Sequence, residues 1–162
     1  QTPYVICNGY MYDVLQGISD HAKLQIVLNA VEKGSNPWGC TDYLNQKKKI
    51  LETGADVYEL MNDYPVHTKA VLIDDRLSVA GSYNLDMRST YLDTELMLVI
   101  DSEKLSQQVH ETESDYMEKS KEVLANGQET EGAKYQGKVL SWKKRLYYGV
   151  LRIIIRPLRQ LL

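Results

Sequence analysis

The chain has no run approaching the roughly 18 consecutive apolar residues that a membrane-spanning helix requires, and its N-terminus shows no secretory signal pattern. Any spanning segment is therefore expected outside this sequence. Cysteine is scarce. Cys7 and Cys40 stand 33 positions apart without CxxC spacing, which excludes a disulfide framework and a paired-cysteine zinc site and leaves two buried thiols as the reading. HExxH and DxDxDG patterns are also missing, so neither a metal nor a cofactor is called for. Low-complexity tracts and internal repeats are absent too. Residues 138–162 contain seven bases and no acid, whereas residues 1–137 hold 12 bases against 22 acids, a net of −10. The tail is built for a different partner from the body.

What is present fits one globular domain with an appended element. The opening QTPYVIC reads as a strand, and the chain as the C-terminal part of a longer protein. Residues 10–32 read helical in parts, broken near Gly17, with 24–31 open to either strand or helix. Thr41 or Asp42 is predicted to cap a helix that stops at Gly54, followed by the strand ADVYEL. Further strands are predicted over 66–74, 77–80 and 94–101, a helix over 103–125 and a polar linker over 126–138. Strands alternating with helices indicate an α/β domain, a mixed sheet with helices on both faces.

The stretch VHTKAVLIDDRLSVAGSYN, residues 66–84, carries the chemistry. Alternation along a strand places His67 and Lys69 on one face, where two polar groups need a common partner. Asp74, at an odd offset from both, points the other way. Fixed cationic, amide and hydroxyl donors suit a phosphodiester, whose charge spreads over equatorial oxygens during displacement, and Lys69, Asn84 and Ser82 supply them. His67 can act as nucleophile or as acid and base. Six identities at fixed offsets, H-x-K, Asp74 and G-S-x-N at 81–84, are not a chance pattern.

The motif resembles the signature of the phospholipase D superfamily, and NLDMRSTYLDTE after it resembles the cardiolipin synthase-like bacterial branch, over residues 1–125. The resemblance implies an α-β-α sandwich and a metal-free reaction through a phosphohistidine. It also implies His67 and Lys69 as catalytic, Glu95 as the acid that holds the imidazole, and Asp74 and Gly81 as structural. Asp86 and Arg88 are read as a local ion pair, and His21 and His110 as surface residues. Residues 21–23 repeat the H-x-K spacing, but position 28 is Leu and no G-S-x-N follows.

The family's reaction uses two motifs, and this chain has one. The second is expected from the remainder of a longer protein or from a homodimer, with His67 as acid and base in the former case. An acidic body is poor footing for nucleic acid. In the tail, 139–162, Arg145, Arg152, Arg156 and Arg159 fall within about a 60° stripe of a helical wheel. Leu146, Val150, Ile153, Ile154, Leu158 and Leu161 lie opposite, and Trp142, Tyr147 and Tyr148 add interfacial aromatics. A basic amphipathic helix on an anionic membrane is the expectation, interrupted near Ile153 by Pro157. The sequence thus points to peripheral membrane association, a phospholipid substrate and phosphatidyl transfer. Phospholipase D hydrolysis, a nuclease and a catalytically silent dimerisation half remain alternatives.

Overall fold

The apolar runs QIVLN and DVYEL form β1 (Gln25–Asn29) and β2 (Asp56–Leu60), which pair in parallel at the centre of a computed structural model describing all 162 residues. Both strands are covered on two faces, which is why neither alternates in the sequence. On one face lie α1 (Gly9–Ser19) and α2 (Pro37–Glu52), whose Met11, Leu15, Tyr43 and Ile50 meet Ile26, Leu28 and Val57. The chain continues through β3 (Ala70–Ile73), β4 (Leu77–Gly81), α3 (Met87–Tyr91) and β5 (Met97–Asp101). It then forms α4 (Glu103–Glu118), whose Tyr116 and Met117 close the other face against Val27, Tyr58 and Leu60. The α/β class with helices on both faces is as expected.

Several boundaries differ from the sequence reading. Helix α1 runs through Gly17, and α2 begins at the Asn36-Pro37 pair, where Asn36 accepts from Trp38 and Gly39 N–H at 3.1 and 3.2 Å. Thr41 and Asp42 are buried inside α2 rather than capping it. Gly54 does end the helix, with a φ of 88° that other residues adopt at a cost. Residues 120–123, expected as the end of a helix, instead form β6 (Ser120–Val123), antiparallel to β2. An unpaired edge of β2 outweighs local helical preference there. The expected linker contains β7 (Glu129–Glu131), reached from β6 through an Asn126-Gly127 turn.

The strands form two sheets rather than one: β1-β2-β6-β7, and the antiparallel β3-β4-β5. Residues 1–6 join them. Thr2 N–H donates to Val27 O and Ile6 N–H to Leu85 O, while Gln1 and Ala70 exchange main-chain hydrogen bonds. This seam places the start of β3 beside the end of β1.

On β2, Glu59 is buried among Tyr43, Lys47 and Lys121. Burial alone would raise its pKa, but the ammonium groups at 2.8 and 3.2 Å and the Tyr43 hydroxyl hold it below the ordinary carboxylate value. A lowered folded-state pKa stabilises above the unfolded value, and that stability is lost as pH falls through the folded one. Glu59→Gln is accordingly expected to lose less unfolding free energy than the wild type between neutral and about pH 3, measured by urea titration. Superimposable acid limbs would refute this. Cys7 and Cys40 are free and buried, their thiols pushed up by burial to about 12 and about 11.

The tail forms α5 (Trp142–Ile154) and then a 3-10 helix over Arg156–Leu161, so the α-helix ends shortly before Pro157. Tyr148, Leu151 and Ile155 are buried by the domain, and Tyr148, expected as an interfacial aromatic, instead packs in the cluster that holds Tyr43 and Ile50. Two tail arginines are engaged by α2. Arg152 Nε donates to Asn45 Oδ1 at 2.9 Å, and Arg159 forms an ion pair with the buried Asp42 at 3.1 Å. Both are expected from the sequence to face a membrane; α2 instead draws Arg159 onto a buried carboxylate and holds Arg152, which stays exposed, through an amide.

Candidate active site

Asn29 ends β1 as the one polar side chain among buried neighbours, and its position is explained by what it holds. Its Oδ1 accepts from Val66 N–H at 2.8 Å, and its Nδ2 donates to Val66 O at 2.8 Å and to Pro3 O at 3.1 Å. The carboxamide thus imitates a neighbouring strand for one residue. Val66 is fixed, and His67 follows it. Sequence reading missed Asn29, although a lone carboxamide closing an apolar strand was visible.

The β3 ladder begins only at Ala70, so His67 and Lys69 lie in the segment leading into the strand rather than within it. Side-chain bonding at Val66 replaces the first expected ladder bonds. Lys69 keeps register, because its carbonyl accepts from Gly81 N–H at 3.2 Å, and by alternation it shares a face with Val71 and Ile73. The Lys69 ammonium donates to His67 O at 2.9 Å. The exposed imidazole itself has no hydrogen-bond partner in the chain.

At the far end of β3, Asp74 and Asp75 both take positive φ, 49° and 52°, in the turn to β4. Aspartate tolerates this left-handed geometry better than most residues. The structure therefore places Asp74 in the hairpin turn, four strand residues away from Lys69. Gly81 is required by close approach: a Cβ there would collide with Leu96 O and stand 2.9 Å from Met97 Cα. That approach puts Ser82 against Glu95. The Ser82 hydroxyl donates to the Glu95 carboxylate and accepts from Leu96 N–H at 3.0 Å.

Glu95 thus bonds Ser82, and no hydrogen bond joins it to His67. Its carboxyl is held below the usual range by the bonds from Ser82 and Ser89 and by the Lys69 charge. Lys69 is lowered by burial, against the opposing pull of Glu95 and Asp86. His67 is lowered by burial and by the Lys69 charge, which favours the neutral imidazole until an anion arrives to offset that charge. Asn84 lies behind this group. Its amide donates to Ser89 Oγ at 3.3 Å through one N–H, leaving the second available, and its Oδ1 is buried without a partner.

Asp86 is not paired with Arg88. It caps α3, accepting from Ser89 N–H at 2.6 Å, while Arg88 pairs with Asp93 at 3.0 Å. His21 and His110 are exposed, the latter 3.1 Å from Asp75. One cationic and one anionic group, a hydroxyl and an unbonded imidazole therefore gather where the β3-β4-β5 sheet meets the seam.

Residues 1–115 match the family model described as "Cardiolipin synthase, PLD-like domain". The chain belongs to this phospholipase D-like family. Its relatives include cardiolipin synthase A of Proteus mirabilis, 31% identical over 152 residues, which are 91% of this chain and 29% of the relative. Cardiolipin synthase A of Serratia proteamaculans is 29% identical with the same coverage. The chain thus spans about 29% of the length of these relatives. Among solved structures, Nuc, a phospholipase D family member from Salmonella typhimurium, has a TM-score of 0.60 at 17% identity, covering 75% of this chain and 77% of that one. Phosphatidylserine synthase from Haemophilus influenzae Rd KW20 has a TM-score of 0.68 at 16% identity, covering 99% of this chain and 40% of that one. These two likenesses establish the phospholipase D-type fold.

Proposed function

We propose that the chain supplies one half of a two-motif site that transfers a phosphatidyl group from a phospholipid to an alcohol. The observation that carries this is the meeting of Lys69, Ser82 and Glu95 beside an unbonded His67, in a phospholipase D-like domain. In the first step the imidazole of the second motif forms a P–N bond as the P–O bond to the headgroup breaks. His67, as imidazolium, gives its proton to the departing alkoxide. In the second step neutral His67 takes the proton of the incoming alcohol, whose oxygen displaces the imidazole from phosphorus. Lys69 and the second Asn84 N–H stabilise the equatorial oxygens, and Glu95 turns from Ser82 to steady the imidazolium.

Hydrolysis differs only in that water replaces the alcohol. Supplying the full-length protein with phosphatidylglycerol and a competing primary alcohol separates the two: transfer yields the phosphatidyl alcohol, hydrolysis yields phosphatidate. Phosphatidate alone, at every alcohol concentration, would rule out transfer.

The second motif has a surface to dock on. Val71, Ile73 and Val99 share the Lys69 face of the small sheet and are 50%, 43% and 69% exposed, while α4 lies on the Ser78 side through the Ser78–Ser106 bond. An apolar sheet face continuous with the site is where the other motif-bearing half is proposed to sit, within the length by which the relatives exceed this chain.

No helix is long and apolar enough to cross a membrane. The proposed contact with the bilayer is peripheral, through the side of α5 left open by docking: Trp142, Leu146 and Ile153 are 71%, 62% and 71% exposed, in one stripe flanked by Lys143 and Arg145. Burying each such side chain in the headgroup boundary contributes about 1.5–3 kcal/mol. Leu146→Asp with Ile153→Asp is expected to cut flotation of the protein with phosphatidylglycerol vesicles by at least about tenfold without lowering Tm. Unchanged flotation would refute the contact.

A further inference from the structure

A cleft of about 420 Å³ opens between the start of α1, the last turns of α2 and the C-terminal 3-10 helix. Its wall includes Asn8, Tyr12, Lys49, Arg156, Arg159 and Gln160, and no acidic side chain. It shares no residue with the group formed by His67, Lys69, Ser82, Asn84 and Glu95. We propose that this cleft is a second, separate anion site, for a phosphate group, either free or carried by a lipid headgroup.

Three cations converge there although residues 1–137 are net −10. Arg159 alone has a carboxylate partner, and that partner orients it rather than filling the cleft. Asp42 is 1% exposed and lies 3.1 Å from Arg159 Nε, while a terminal nitrogen of the guanidinium donates to Tyr12 Oη at 3.1 Å and to Cys7 O. Lys49 and Arg156 have no carboxylate partner. The Lys49 ammonium is held 5.7 Å from the Tyr12 ring centroid, on the cleft wall. Two uncompensated cations on one concavity repel each other, and an anion between them removes that cost. The donor set is that of a phosphate site: the guanidinium of Arg156 can bond two oxygens in parallel, and an ammonium adds a point charge. The volume lies within the range of small-molecule sites and admits a glycerophosphate.

The two arginines belong to the C-terminal segment, whereas Asn8, Tyr12 and Lys49 belong to the body. A bound phosphate therefore ties the segment to the body, which gives the site a readout independent of turnover. Amide exchange over 156–161 should slow on binding.

The test uses the full-length protein with Lys69→Gln, which weakens phosphate binding at the reaction site, titrated calorimetrically with inorganic phosphate and with glycerophosphoglycerol. Saturable binding of either, weakened at least about tenfold by Lys49→Gln with Arg156→Gln and accompanied by slowed exchange over 156–161, supports the site. Tighter binding of the diester marks a headgroup site, and tighter binding of inorganic phosphate a free-phosphate site. No binding, or binding indifferent to the two substitutions, overturns it. The reaction proposed above is judged separately by lipid turnover, so either can fail alone.

Discussion

In the full-length protein, His67→Ala is expected to lower phospholipid turnover by at least about 10³-fold, within the range that general acid and base catalysis supplies over two proton transfers. The imidazole is exposed and unbonded, so the substitution removes no packing, and Tm should not fall. The assigned role makes a sharper distinction. An acid is needed only when the departing alkoxide is a strong base, so a phosphatidyl ester of p-nitrophenol should still release its phenolate in the variant. That release should stop after one equivalent, because His67 must then take the proton of the incoming alcohol. A variant that turns over the natural lipid normally would remove His67 from the mechanism. One that fails to give the single burst, with Tm intact, would make His67 the nucleophile instead.

The second large effect is expected at Asn29, a residue that touches no substrate. Asn29→Ala leaves Val66 N–H and Val66 O buried without their partner, while Pro3 O keeps only the main-chain N–H of residue 29, at about 2–4 kcal/mol by equilibrium unfolding. Asn29→Asp keeps the shape but turns a carboxylate oxygen toward two carbonyls, and should cost a similar amount. Under conditions where both variants remain folded, kcat should fall with little change in KM, because the segment carrying His67 and Lys69 loses its anchor while the lipid-facing surface is unchanged. Loss of stability with kcat intact would make Asn29 purely structural.

How far the sequence discloses this site follows from the range of the forces involved. The His67 and Lys69 spacing, the hairpin turn and the Gly81–Ser82 approach are local, and the motif displays them. Contacts made across the chain are not displayed. Val66 is held by Asn29, 37 positions away, so an expected strand over 66–74 shortens to Ala70–Ile73. A free edge on β2 recruits residues 120–123 from their expected helix. The tail shows the same limit from another side. A helical wheel separates arginines from apolar residues, but it does not show that Tyr148, Leu151 and Ile155 are the docked side, nor that Asp42 and Asn45 would take two of the arginines. Those preferences depend on what α2 presents, which local periodicity does not record.

The most direct test of the central claim is chromatography of the lipids made by the full-length protein from phosphatidylglycerol alone. Phosphatidyl transfer through this site predicts two phosphatidylglycerol molecules consumed for each diphosphatidylglycerol formed and each glycerol released, and no such product from the His67→Ala protein. Phosphatidylglycerol recovered unchanged from the wild type under conditions where it degrades DNA would contradict it.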